Sequence, residues 1–312
     1  MRWRGRRDAV RAWLVAIRPH TLPAGIAPVV VGTGIAIGHE RFSLWPALAA
    51  LLGALLIQVG ANLANDYYDA QHGVDTSNRT GFTRVTHQGL IAPAAVKRAM
   101  WLSFAAAIGV GTYLVYVGGV PIVIIGLLSV LFGVAYAGGP APFGSYGLGD
   151  LFVFVFFGLI AVVGTYYVQA VDRLVEPFPL WIPPETIVLE AVIAGVAIGA
   201  LTTAILVVNN LRDIETDRAA GKRTLAVFIG VRATRAEYVG LIVLAYLVPV
   251  GLVSAGHPAI LLLPVVTLPG GIYLGYRVVL GPRDASLNST LTQTGQLLVA
   301  YAGLLAVGFG LT

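Results

Sequence analysis

The chain of 312 residues contains no cysteine. Disulfides and thiolate metal sites are therefore excluded, and nothing about compartment follows. Charge is also scarce, at 11% of residues, where soluble domains carry roughly a quarter. With 57% of residues hydrophobic, an ordinary water-soluble globule is excluded. Lysine occurs only at Lys97 and Lys222. No Ser/Gly-rich linker and no second composition regime interrupts residues 1–312, which read as one domain with a basic segment at 1–18. That segment carries Arg2, Arg4, Arg6, Arg7 and Arg11. An amphipathic stretch follows it, not a short apolar core with a small-residue cleavage site, so it does not read as a cleavable signal.

What fills the chain instead is apolar sequence in long runs. Crossing about 30 Å of hydrocarbon takes roughly 20 apolar residues. Nine runs qualify, near 21–38, 45–65, 97–117, 120–137, 150–170, 187–210, 236–256, 258–280 and 291–311. Pro23 and Pro28 are expected to kink or delay the first. The expected fold is an all-α polytopic membrane protein of about nine transmembrane helices. The net charge of +5 does not point to nucleic acid, because its distribution follows topology. With the N-terminus cytoplasmic, eighteen basic residues fall inside and only Arg41 and Arg173 outside, a strong positive-inside bias. The expected setting is the cell membrane. The segments 66–96 and 211–235 are expected as long cytoplasmic loops carrying most of the polar chemistry.

Two polar phrases close two of these apolar runs. The first is Asn62-Leu63-Ala64-Asn65-Asp66-Tyr67-Tyr68-Asp69, and the second runs from Asn209-Asn210 through Asp213 to Asp217. They hold four of the chain's six asparagines. At 100° per helical residue, Asp66 lies about 40° to one side of Asn62 and Asp69 about 20° to the other. Asn209, Asp213 and Asp217 share a second face within about 80°, and Asn210 reaches the side of Asp217. One aspartate at a helix end is ordinary. Two amide-and-carboxylate stripes on one membrane face are expensive without a cation or polar ligand. Each suits a hard divalent cation such as Mg²⁺, which is commonly held by one or two carboxylates plus substrate phosphates. A diphosphate between two magnesium sites balances these charges. Lys222 and Arg223 follow the second stripe closely and suit phosphate oxygens as a point charge and a fork. Arg79 and Arg84 occupy the equivalent place after the first. His20, His72 and His87 lack metal-ligand spacing and read as polar interfacial residues. The Gly/Pro segment from Tyr136 to Asp150 reads by itself as a tight turn.

Four stretches together resemble the UbiA-type intramembrane prenyltransferase superfamily: Arg18 to Ala24, Asn62 to Asp75, Tyr136 to Asp150, and Asn209 to Leu225. The Asn-Asp-Tyr-Tyr-Asp…Gly73-Val74-Asp75 form and the Ala-Gly-Lys-Arg-Thr-Leu run resemble most its branch that prenylates 1,4-dihydroxy-2-naphthoate. His20 stands where that branch usually has lysine or arginine, and Asp150 where it often has glutamate. The resemblance implies a nine-helix fold and transfer of a polyprenyl group from its diphosphate to the aromatic acceptor, with loss of CO₂. It implies one Mg²⁺ on Asn62, Asp66 and Asp69, and a second on Asn209, Asp213 and Asp217. Arg84, Lys222 and Arg223 would bind the diphosphate, aided by Asn65, Asn210 and Asp75. Tyr136 and Tyr67 would wall the allylic cation or the acceptor. Another acceptor within the superfamily (4-hydroxybenzoate, a glyceryl-phosphate lipid or a porphyrin) is the alternative. A cation-coupled transporter is a further one, although such sites usually lie near the bilayer midplane.

Overall fold

The computed structural model describes residues 6–71, 81–136, 138 and 142–312. Every regular element among them is helical. An amphipathic helix α1 (Arg6–Ile17) leads through a short turn into α2 (Pro23–Gly38). These two are bent by 50°, and Pro23 opens the second of them, where its missing N–H costs nothing. Then follow α3 (Leu44–Gln71), α4 (Pro93–Ala135), α5 (Gly149–Val153), α6 (Ala161–Leu174), α7 (Leu189–Ala219), α8 (Leu225–Ser254), α9 (Leu268–Leu280) and α10 (Ser286–Gly310). A π-helical stretch, Phe154–Ile160, joins α5 to α6, and a 3-10 stretch, Ala259–Thr267, leads into α9.

Among the described residues, seven helices are long and apolar enough to cross a membrane, and the bent pair at the N-terminus makes eight. The ninth comes from α4. Its 43 residues would span about 64 Å if straight, twice the hydrocarbon core. At Gly119 the backbone takes φ 64°, ψ −151°, a region open to glycine and hostile to Cβ-bearing residues. The chain folds back there, with Pro121 starting the return arm. The arms lie side by side, since a Cβ at Gly133 would sit 3.2 Å from the Phe104 ring. The 175–188 segment packs over the turn, where the Val120 N–H donates to the Pro179 carbonyl at 3.0 Å and the Phe178 N–H to the Tyr116 carbonyl at 2.9 Å. The nine expected runs thus correspond to nine helical crossings of a multi-pass membrane protein.

The centre of the bundle is α7, whose Ala194, Ala197, Ile198, Ala200, Leu201 and Ala204 are fully buried. Small residues let neighbouring backbones approach closely where lipid gives no hydrophobic drive to helix pairing. A Cβ at Gly158 would lie 2.4 Å from the Gly199 Cα, so the π-helical stretch and α7 meet backbone to backbone. The expected long loop at 211–235 is the main departure. It is mostly helix, because α7 continues to Ala219 and α8 begins at Leu225, leaving a short connection at 220–224 and a kink inside α8 at Gly230 (φ 76°). Polar residues ended the apolar run there without ending the helix.

Candidate active site

Both polar stripes form on helix ends. Residues 62–69 lie inside α3 and 209–217 inside α7, so their helical spacing is realised. They converge on one cavity of about 830 Å³. Its polar end is lined by Asn62, Asn65, Asp69, Asn209, Asn210, Asp213 and Asp217, with Arg84, Arg212 and Lys222 among them. The rest of the wall is mostly apolar, from Ile57, Ile108, Leu114, Ile122 and the Phe156–Phe157 pair. Rings of Phe132, Phe143, Phe152 and Phe156 cluster there, with Phe132 centred 4.8 Å from Phe152 and 4.9 Å from Phe156. Tyr136 lines the same space.

Basic groups and backbone amides hold the carboxylates. Asp69 accepts from Lys222 Nζ at 2.8 Å and from Arg84 Nη2 at 3.0 Å. The two partners arrive from different parts of the chain, so Asp69 ties the end of α3 to the loop before α8. Asp213 is gripped by its neighbour Arg212, Nε to Oδ1 at 2.8 Å and Nη2 to Oδ2 at 2.7 Å. Arg212 also donates to Asn209 Oδ1 at 2.7 Å and to Asn288 Oδ1 at 2.6 Å. The pair is buried, with side chains 1% and 3% exposed. Burial this deep is tolerated because the charges are matched and hydrogen-bonded. Asn62 gives both amide hydrogens away, to the Ile17 carbonyl and Thr21 Oγ1, each at 2.8 Å. Its carbonyl oxygen is left as the donor atom available for a cation.

Three expected site residues stand apart from this cavity. Asp66 is 1% exposed, and its oxygens accept the backbone N–H groups of Val85 and Thr86 at 3.0 and 2.8 Å. Buried amides need acceptors, and the side of the stripe that Asp66 occupies faces the 82–86 segment. Tyr67 packs edge-on to Tyr68 at 5.1 Å under the Lys97 ammonium at 5.6 Å, away from the cavity lining. Arg223 is exposed and outside the lining, and its backbone N–H donates to the Ser145 carbonyl at 2.9 Å. Asp75, with Arg79 and His72, lies outside the described residues.

The structure also brings in residues that the sequence left unassigned. Arg212 is adjacent to Asp213 and three residues from Asn209, a helical spacing that was open to reading. His20, expected as a plain interfacial residue, lines the cavity and stacks on Phe82 at 3.8 Å. The Arg212 guanidinium lies 5.8 Å from the same ring. Arg18 also lines the cavity, with a left-handed backbone (φ 56°) that a non-glycine residue rarely adopts. The turn between α1 and α2, the 82–86 segment and α7 thus meet around one aromatic ring.

Among the described residues, no three acidic or histidine side chains converge as a ready metal cage. The donor set consists of hard carboxylate and amide oxygens on two separate helices. That fits a cation taking one or two protein carboxylates and completing its shell with phosphate oxygens and water.

A mouth of fixed charges over a mostly apolar chamber inside a helical bundle is the site of an intramembrane enzyme. The chain belongs to the UbiA prenyltransferase family, whose pattern matches residues 26–310. Over 235 residues it is 40% identical to 1,4-dihydroxy-2-naphthoate octaprenyltransferase of Mycobacterium tuberculosis, covering 75% of each chain. The fold is similar to that of a UbiA homolog from Aeropyrum pernix K1, with a TM-score of 0.71 at 14% identity over 93% of this chain and 97% of that one. It is also similar to a UbiA homolog from Archaeoglobus fulgidus bound to DMAPP and Mg²⁺, with a TM-score of 0.61 at 17% identity over 95% and 99% of the two chains.

Proposed function

We propose that this prenyltransferase moves a polyprenyl group from polyprenyl diphosphate to 1,4-dihydroxy-2-naphthoate, releasing diphosphate and CO₂ and giving demethylmenaquinol. The carrying observation is the shape of the charge: two amide-and-carboxylate stripes, with Arg84, Arg212 and Lys222 among them, at one end of a mostly apolar cavity. A diphosphate matches that end and an isoprenoid tail matches the remainder. The family relative that prenylates 1,4-dihydroxy-2-naphthoate supports the choice of acceptor.

Asn62 and Asp69 would hold one Mg²⁺, with Asp66 fastening the 85–86 backbone behind them, and Asn209, Asp213 and Asp217 would hold a second. Divalent cations bound there supply Lewis-acid neutralisation of the leaving diphosphate. Lys222 and Arg84 sit on the same carboxylate, Asp69, and are placed to turn to phosphate oxygens. Arg212 keeps Asp213 and Asn209 oriented. As the C–O bond breaks, the diphosphate leaves with the electron pair and the allylic carbon becomes cationic. The Phe132, Phe152 and Phe156 rings and Tyr136 present π faces to it, and the apolar wall keeps water away. A carbon of the electron-rich naphthoate ring then forms the new C–C bond, and the ring carboxylate departs as CO₂. The basic residues beside the stripes support a site that opens to the cytoplasmic face of the cell membrane.

The test is turnover by purified protein in detergent, given polyprenyl diphosphate, Mg²⁺ and a set of aromatic acceptors, with products read by mass. Demethylmenaquinol is expected. Turnover of 4-hydroxybenzoate or a glyceryl-phosphate lipid alone would replace the acceptor and keep the transfer chemistry.

A further inference from the structure

A second, smaller cavity of about 160 Å³ lies where α9 ends and α10 begins. It occupies a different face of α10 from the active site. Asn288 and Leu291 turn towards Arg212 and the large cavity, whereas Ser286 and Thr290 line the small one with Arg277 and Gly281. No acidic side chain lines it. Arg277 binds only neutral acceptors, Gln293 Oε1 and Ser289 Oγ at 3.1 Å and the Ser286 carbonyl at 3.5 Å. Arg235 of α8 donates to the Gly281 carbonyl at 2.8 Å, and its buried Nε has no partner among the described residues. The nearby carboxylates are already engaged: Asp284 accepts the Ser286 N–H at 2.8 Å, and Glu215 pairs with Arg283 at 3.3 Å. Thr290 is 0% exposed, and its Oγ1 also has no partner among the described residues. A buried polar group without a partner is rare in native structures. Two arginines without a carboxylate and a buried hydroxyl able to donate call for one kind of partner, an anionic acceptor.

The outer edge of the cavity says which anion. Tyr276 and Leu280 line it and are 64% and 67% exposed. With Ile272, 64% exposed, they recur every fourth residue and form an apolar stripe about 12 Å long on α9. A soluble anion would use the pocket and leave the stripe idle, whereas a phospholipid would use both. Basic pockets between membrane helices suit lipid head groups. We propose that this cavity binds the phosphate of an anionic phospholipid, with an acyl chain lying along Ile272, Tyr276 and Leu280. Arg277 and Arg235 supply the charge, and the Thr290 hydroxyl donates to a phosphate oxygen. A zwitterionic lipid would bring an ammonium group to a pocket that offers it no carboxylate, so the anionic head group is preferred. Because Asn288 accepts from Arg212 at 2.6 Å, the bound lipid would brace the start of α10, the helix that helps hold the active-site arginine.

The test needs no turnover. Full-length protein is extracted from nanodiscs of equimolar phosphatidylglycerol and phosphatidylcholine, and the retained lipid is counted by native mass spectrometry. Wild type is expected to keep phosphatidylglycerol in preference to phosphatidylcholine. Arg277→Gln should lower that retention about fivefold, the scale of one basic residue at an anionic membrane surface. Thr290→Val, which removes the hydroxyl at nearly constant volume, should lower it about threefold, as for one lost hydrogen bond. Arg98→Gln removes the same charge from an exposed position on α4 and should leave retention unchanged. Equal losses in Arg98→Gln and Arg277→Gln, or no preference in wild type, would overturn the site. Inorganic phosphate that raises the Tm of wild type as much as phosphatidylglycerol does, but not that of Arg277→Gln, would assign the pocket to a soluble anion and overturn the lipid. If Arg277→Gln does not fold, Arg235→Gln carries the same comparison.

Discussion

The two polar stripes look alike in sequence and are wired differently in space. The second is neutralised from within: Arg212 pairs with Asp213 and orients Asn209 on the same helix, with Asn288 of α10 as an outside partner, and the Arg212–Asp213 pair is 1–3% exposed. The first is held from elsewhere. Asp69 takes Arg84 and Lys222, and Asp66 takes the amides of Val85 and Thr86. One stripe is a rigid post and the other is a junction where two segments from elsewhere in the chain are fastened. The difference suggests a division of labour in which α7 fixes the geometry of the site and α3 couples it to segments that can let go of their carboxylate and take phosphate.

Breaking the post should cost most. Asp213→Ala leaves the buried Arg212 without its carboxylate, an expected loss of about 3–5 kcal/mol, read as a fall in Tm in detergent together with loss of turnover. The paired change Arg212→Met with Asp213→Leu should return most of that stability and none of the activity, which separates the structural share of the pair from its chemical share. At the junction, Asp66→Ala strands two buried amides at about 1–3 kcal/mol each at most. Hydrogen exchange should speed up at 82–90 while α7 stays protected. Asp69→Asn should be milder for stability, since Arg84 and Lys222 are 10% and 19% exposed and can reach water. Its turnover should nevertheless fall at least about hundredfold. The smallest effect sharpens the boundary of the site. Lys222→Met should raise the KM for diphosphate about tenfold, whereas Arg223→Met, outside the cavity, should change it less than about twofold.

Much of this was legible in the sequence because membranes make few demands and make them strictly. Length and apolarity located nine crossings, including the two arms of α4, whose separation at Gly119 coincides with the gap between runs 97–117 and 120–137. Helical spacing put Asn62 with Asp69, and Asn209 with Asp213 and Asp217, on common faces, and the structure gathers them around one cavity. What was not legible depends on partners distant in sequence. Asp66 and Asp69 are only three residues apart, yet the 82–86 segment claims one and the cavity the other, and no local period separates them. Tyr67 and Arg223 belong to the right phrases and point the wrong way for the same reason. Charge matching hid Arg212, because a basic residue in an inner loop is already explained by topology.

The most direct measurement of the central claim is the initial rate of prenyl transfer as Mg²⁺ is removed and returned. Purified protein with polyprenyl diphosphate and 1,4-dihydroxy-2-naphthoate should release diphosphate and form prenylated quinol in equal amounts. The rate should vanish with EDTA and recover with Mg²⁺, and Asp213→Ala and Asp69→Asn should stay inactive at any Mg²⁺ concentration. Transfer that persists in EDTA, or that survives in both aspartate variants, would contradict the account.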